Sequence, residues 1–189
     1  MVFRFLSVFI LSVACATAYA DNLKVMLGSD MARVMYASES LGQSLGRVEL
    51  EGGYLYSEQN SDTSDYLAHV GFQVRGESLD APLVVTVGAR LYLGSAADQS
   101  VGGLGIGGDL LMAPDGWNGF GVGGFLYYVP DVVAFSDAEG LLEYGVTANF
   151  QVSSQATVNL GWQNIEVDLK NRPNRTIDDG IFLGVNLAF

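Results

Sequence analysis

Arg47-Val48-Glu49-Leu50-Glu51-Gly52-Gly53-Tyr54-Leu55-Tyr56 sorts by parity. Successive side chains of an extended strand point to opposite sides, so Val48, Leu50, Gly52, Tyr54 and Tyr56 form one face and Arg47, Glu49, Glu51 and Gly53 the other. One face is oily and the other charged. The next segment repeats the pattern, with Tyr66, Ala68, Val70, Phe72 and Val74 against His69, Gly71, Gln73, Arg75 and Glu77. Leu83, Val85, Val87, Ala89, Leu91 and Leu93 then oppose Thr86, Gly88, Arg90 and Tyr92. Leu142, Tyr144, Val146, Ala148, Phe150 and Val152 oppose Glu143, Gly145, Thr147, Asn149 and Gln151.

Four such runs, each long enough to cross a bilayer as a tilted strand of about 9 to 11 residues, predict a closed antiparallel transmembrane β-barrel rather than a soluble sandwich. Turn-forming stretches separate the runs at residues 59–65, 78–81, 95–100, 113–118, 130–140, 153–155 and 170–179. Their lengths suggest longer connections at one end and shorter ones at the other. Eight strands lie between Gly46 and Phe189. In residues 22–40, Leu23, Val25 and Leu27 alternate, Gly28-Ser29-Asp30 offers a turn, and Ala32, Val34 and Tyr36 alternate again. The expectation is therefore eight to ten strands, with ten preferred because bacterial barrels keep an even number.

Two weaker segments fit the same frame. The glycine-rich stretch at residues 101–108 lacks the Lys-Ser/Thr of a phosphate-cradling loop. It reads as a strand, with Leu104, Ile106, Leu110 and Met112 outward and Gly103, Gly105 and Gly107 inward. Around Gln163-Asn164 the alternation breaks, which predicts a β-bulge.

The ends carry address information. Arg4, an apolar stretch over residues 5–16, and Ala18-Tyr19-Ala20 have the layout of a signal peptide cleaved after Ala20, leaving a barrel domain over residues 21–189. Cys15, the single cysteine of the chain, goes with the leader, so no disulfide is expected. At the other end Ile181, Leu183, Val185, Leu187 and Phe189 alternate up to a terminal aromatic. Phe189 is the expected assembly signal, read by the barrel-assembly machinery.

The full chain has a formal charge of -12, from 21 acidic and 9 basic residues. That balance excludes nucleic acid, whose phosphates require cationic neutralisation. It is compatible with divalent cations bridging the chain to anionic outer-membrane lipid, including lipopolysaccharide; a monomer is expected.

Blocks spread along the chain resemble the YfaZ family of Gram-negative outer-membrane proteins. They are residues 127–137, Glu143-Tyr144-Gly145-Val146, Leu160-Gly161-Trp162-Gln163-Asn164-Ile165 and Asp178-Asp179-Gly180, with Ala68-His69-Val70-Gly71 and Gly88-Ala89-Arg90-Leu91-Tyr92 earlier. The resemblance implies an outer-membrane barrel and little chemistry.

Function is then sought on the inner face. Arg47, His69, Arg75 and Arg90, with Glu49, Glu51, Glu77, Asp109 and Glu143, form a candidate lumen network or pore lining. Buried charges persist when paired, so the first expectation is a side-chain-filled lumen with a structural or interaction role. The second is a narrow, weakly cation-favouring pore widened at Gly53, Gly71, Gly88, Gly105 and Gly145. An enzyme acting on lipid through His69, the single histidine, is the alternative, but no nucleophile and base stand in a recognisable arrangement and no catalytic residue is assigned. No cofactor is expected. Asp131, Asp137, Glu139, Asp178 and Asp179 are weak oxygen-ligand candidates for a divalent cation, without calcium-loop spacing.

Overall fold

The computed structural model describes residues 21–41, 47–59, 63–77 and 82–189, without the side chains of 39–41. The expected leader, residues 1–20, lies outside the described residues, as do residues 60–62 of the connection at 59–65 and the whole connection at 78–81. Eleven strands follow in order: β1 Asp21–Gly28, β2 Met31–Leu41, β3 Arg47–Ser57, β4 Asp65–Glu77, β5 Leu83–Ala96, β6 Gln99–Met112, β7 Phe120–Val129, β8 Ala134–Ser136, β9 Ala138–Ser153, β10 Ala156–Leu169 and β11 Arg175–Ala188.

Every pairing is antiparallel, and the ladder closes on itself because β1 pairs with both β2 and β11. The three-residue β8 is an accessory, laid beside Val101, Gly102 and Gly103 of β6. The barrel wall therefore has ten strands. The N-terminal stretch is a hairpin turning at Ser29-Asp30, which supplies the two strands beyond eight. Asp21 and Phe189 exchange two backbone hydrogen bonds of 3.0 Å, so both ends of this ring sit at one rim.

Period two decides which side chains face out. Leu50, Tyr54, Val70, Phe72, Val87, Leu104, Ile106, Leu126, Val146, Leu160, Ile181 and Leu183 are all exposed on the wall's outer face. Aromatic pairs stand towards its two edges: Phe120 and Phe150, 4.6 Å apart, near the terminal rim, and Tyr54 and Tyr66, 6.4 Å apart, near the far rim. The irregularity expected near Gln163 falls slightly later. Ile165 pairs with Asp178 and Glu166 with Thr176, so Ile177 of β11 is the extra residue, and both Ile177 and Asp178 are buried.

Connection lengths alternate less cleanly than the sequence suggests. At the far rim the turns at Ser29-Asp30 and Ala97-Asp98 have two residues each, whereas residues 113–119 make a longer connection at the terminal rim that includes the 3-10 turn Asp115–Trp117. Ala97 and Asp98 both have positive φ, 51° and 61°, the backbone of a type I′ hairpin usually given to Asn and Gly. Asp65 stabilises it: its buried carboxylate accepts the Ala97 N–H at 2.9 Å and the Arg175 Nε at 2.8 Å. Arg175 also donates to Thr63 Oγ1 at 2.7 Å, and the Asp179 N–H donates to Gln59 Oε1 at 2.5 Å. These bonds bridge the far ends of β3–β4 and β10–β11 above the short β1–β2 hairpin, where Glu58 N–H also donates to Asp30 O at 2.8 Å.

Inward glycines allow the wall to accept bulky neighbours. A Cβ on Gly107 would meet the backbone of Leu126 and Tyr127 and the Tyr127 ring at or below 2.6 Å, whereas one on the outward Gly52 would find its nearest atoms at 3.7 Å. Gly107→Val is expected to lower the urea midpoint of the folded barrel by a free energy of about 1–3 kcal/mol, with Gly52→Val close to wild type. Urea titration followed by heat-modifiable gel migration measures both, and equal midpoints would refute the role of Gly107 as a socket for Tyr127.

Candidate functional site

Side chains on strands that are not neighbours in the ring can bond only across the interior. Glu143 on β9 is the hub of such bonds. Arg33 of β2 donates Nη1 to Glu143 Oε1 at 2.6 Å, and Tyr92 of β5 donates its hydroxyl to Oε2 at 2.6 Å. Arg90, also on β5, brings Nη1 to 3.6 Å of Oε2. Glu143 is fully buried, and the side chains of Arg33 and Arg90 are 4% and 3% exposed. A carboxylate removed from water is tolerated here because two guanidiniums and a phenol replace its hydration.

The network continues towards the terminal rim. Arg90 donates Nε and Nη2 to the two oxygens of Glu51, at 2.5 and 3.1 Å, in the two-pronged geometry that suits guanidinium to carboxylate. Its Cζ lies 3.5 Å above the Tyr127 ring. Tyr127 donates to Asp109 Oδ2 at 2.8 Å and accepts from Gln73 Nε2 at 2.7 Å. On the opposite side Gln163 donates to Asp178 Oδ2 at 2.7 Å and approaches Arg33 through Oε1 at 3.5 Å.

The far part of the interior is mainly apolar, with Ser57, Asp65 and Asp178 buried at its edge. Met26, Met31, Leu55, Leu67, Val101, Val129, Leu141, Ile165, Val167, Ile177 and Phe182 are buried there as one cluster, capped at the rim by Ala96, Ala138 and Leu169. Towards the terminal rim the interior instead holds a cavity of about 260 Å³, bounded by residues that include Lys24, Glu49, Glu51, Gln73, Arg75, Thr86, Arg90 and Asp109. The buried apolar cluster thus lies towards one rim and the cavity towards the other.

The residues singled out from the sequence divide accordingly. Glu51, Arg90, Asp109 and Glu143 join the connected network. Arg75 and Glu49 pair at 3.7 Å along the cavity wall. Arg47 and Glu77 pair at 3.5 Å with side chains 62% and 53% exposed, so they belong to the mouth of the barrel rather than its interior. His69 packs with its ring 5.8 Å from Tyr92, and its Nε2 has no hydrogen-bond partner among the described residues. Side chains lie against the inward glycines: His69 beside Gly53, Arg90 and Glu51 beside Gly71, Gln73 beside Gly88, Tyr92 beside Gly105, and Phe125 beside Gly145. Among the described residues no three His, Cys, Asp or Glu side chains gather as a metal site. Asp178 is committed to Gln163 and Asp179 to the Trp162 indole, 2.9 Å away.

Arg33, Lys24, Tyr127 and Gln163 were not singled out from the sequence, yet all four are part of this interior. Arg33 carries a legible signal, since it stands between the outward Ala32 and Val34. Tyr127 carries little, because it neighbours Tyr128 and only the strand register tells which of the two is inside.

The family model described as YfaZ precursor matches residues 1–189, the whole chain, and the protein belongs to that family. No curated protein matches the chain.

Removing the hub leaves the buried Arg33 guanidinium without its carboxylate and takes from Arg90 one of its two anionic neighbours, Glu51 remaining. Glu143→Ala is therefore expected to destabilise the barrel by about 3–5 kcal/mol, and Glu143→Gln, which keeps the shape but not the charge, by a large part of that. Equilibrium unfolding in detergent micelles measures the loss. A change below about 1 kcal/mol, the scale of a solvent-exposed pair, would show that Glu143 does not hold the interior together.

Proposed function

We propose that the protein is a monomeric outer-membrane barrel with a closed interior, acting as a structural or interaction protein rather than as a channel or an enzyme. One observation carries this reading: the far part of the interior is filled by a buried apolar cluster resting on the Glu143 network. An ion would have to leave water to pass such a segment, at a cost of several kcal/mol without a partner. The narrow cation-favouring pore has less support, because the inward glycines are occupied by their neighbours' side chains.

The outer face supports the location. Its exposed Val, Leu, Ile, Phe and Tyr residues encircle the wall, and so continuous an apolar surface suits hydrocarbon rather than water. Closure of the ladder supplies the other requirement, since a spanning sheet can leave no unpaired edge in lipid. An even strand number puts both termini at one rim; with that rim in the periplasm, the far rim meets lipopolysaccharide and Phe189 faces the assembly machinery. His69 gives the lipid-modifying enzyme reading little support, since its ring packs 5.8 Å from that of Tyr92 and its Nε2 is hydrogen-bonded to no nucleophile among the described residues.

Two measurements test this. In planar bilayers the purified protein is expected to produce no reproducible conductance steps; regular steps would overturn the closed interior. In intact cells, a membrane-impermeant maleimide is expected to label Lys170→Cys at the exposed far rim and to spare Gln155→Cys at the exposed terminal rim. The reverse pattern would invert the orientation.

A further inference from the structure

The cavity at the terminal rim contains a pair of charges that do not meet. Lys24 of β1 and Asp109 of β6 both border the main cavity, and both also border a smaller void of about 20 Å³ between it and Glu143. The other ionic groups of the cavity wall are engaged. Arg90 is held by Glu51 at 2.5 Å, and Arg75 lies 3.7 Å from Glu49. Lys24 has no ion pair or hydrogen bond among the described residues, and Asp109 accepts from Tyr127 through Oδ2 alone.

Each of these two groups has suitable company. Asn186 is the register partner of Lys24, and Asn22 lies two residues before it on the same strand face; all three border the cavity. One ammonium with two carboxamides is a donor set for a carboxylate. Across the cavity, Thr86 is the register partner of Asp109, and together they offer acceptors for an ammonium. Met35, Val84 and Leu111 complete the wall between the two poles. Opposite charges in a restricted interior ordinarily close on each other or are neutralised. Here they are held apart by the ring, with space between.

The geometry points to a binding site for a small zwitterion, an amino acid or short peptide, entering at the terminal rim. Its carboxylate sits against Lys24, Asn22 and Asn186, and its ammonium against Asp109 and Thr86. The size agrees, since about 260 Å³ is the share of on the order of eight or nine waters at roughly 30 Å³ each. That the mouth opens to the periplasm rests on the membrane reading above. Binding itself does not, and it is measurable in micelles where orientation has no meaning.

Isothermal titration of the purified barrel with L-alanine and dialanine, against acetate and methylammonium, tests the assignment. The zwitterions are expected to saturate one site with a Kd below about 1 mM, and acetate to bind about tenfold or more weakly. Lys24→Met is expected to weaken the zwitterions by at least about tenfold, and Asp109→Asn to weaken them similarly while leaving acetate unchanged. Heat-modifiable migration verifies that each variant is folded. Should Asp109→Asn fail to fold, because Tyr127 depends on that carboxylate, Lys24→Met remains decisive, since Lys24 holds nothing else in place. Absence of saturable binding, acetate binding as tightly as alanine, or binding indifferent to Lys24→Met would each overturn the proposal. Failure here with correct cysteine labelling in cells would leave the membrane reading intact, and the converse would leave the site intact.

Discussion

The hydrogen-bonded ring is the constraint on which everything else in this protein depends. Once β1 pairs with β11, no strand edge is left within the wall, and each residue's parity assigns it to one of two environments. A one-residue slip of β9 would carry Glu143 to the outer face and bring Tyr144 or Leu142 inside. Register is therefore specified by both faces at once: the outer one selects apolar residues, and the inner one selects groups that satisfy each other.

Ten strands enclose more space than one layer of ordinary side chains fills, and the chain meets this with two devices. The first sets large residues beside small ones, as Tyr127 lies over Gly107 and Tyr92 over Gly105. The second sends long polar side chains across the interior, which is why Arg33 on β2 reaches a carboxylate on β9. Both devices are costly if incomplete. An unfilled socket loses packing, and an unpaired guanidinium loses solvation, so the interior behaves as one unit rather than a collection of pairs.

Fold and site were unequally legible in the sequence. Alternation along β3, β4, β5 and β9 predicted strands, faces and closure, because the outward positions of the wall are apolar throughout and repeat the same signal on every strand. The hairpin of β1 and β2 was legible from Leu23, Val25, Ala32 and Val34 for the same reason. Inside, parity indicated that Arg90 and Glu143 share a face but could not say what they touch, since cross-barrel partners are set by strand number and tilt. The apolar cluster at the far end had a signal that the charged positions obscured: Leu55 and Leu67 occupy the inward parity that Glu51 and His69 occupy elsewhere on the same strands. Arg47 and Glu77 show the converse, because parity carries no information about depth, and at the rim an inward position is simply wet.

Depth is also what gives the interior its polarity. From the far rim inwards the side chains run from apolar cluster to fully paired ions to a cavity with charges left over, so neutralisation becomes less complete as water becomes available. That gradient limits what the barrel can do. Passage from one rim to the other would require Glu143 to give up Arg33, Arg90 and Tyr92 together and the apolar cluster above them to separate. Neither rearrangement is local, and the first leaves Arg33 without its carboxylate. On the closed-interior proposal, an activity that uses the interior begins and ends at the terminal rim, and one that uses the far rim is carried by the loops that Asp65, Arg175 and Asp179 tie together. The two ends of one barrel are thereby available for independent tasks.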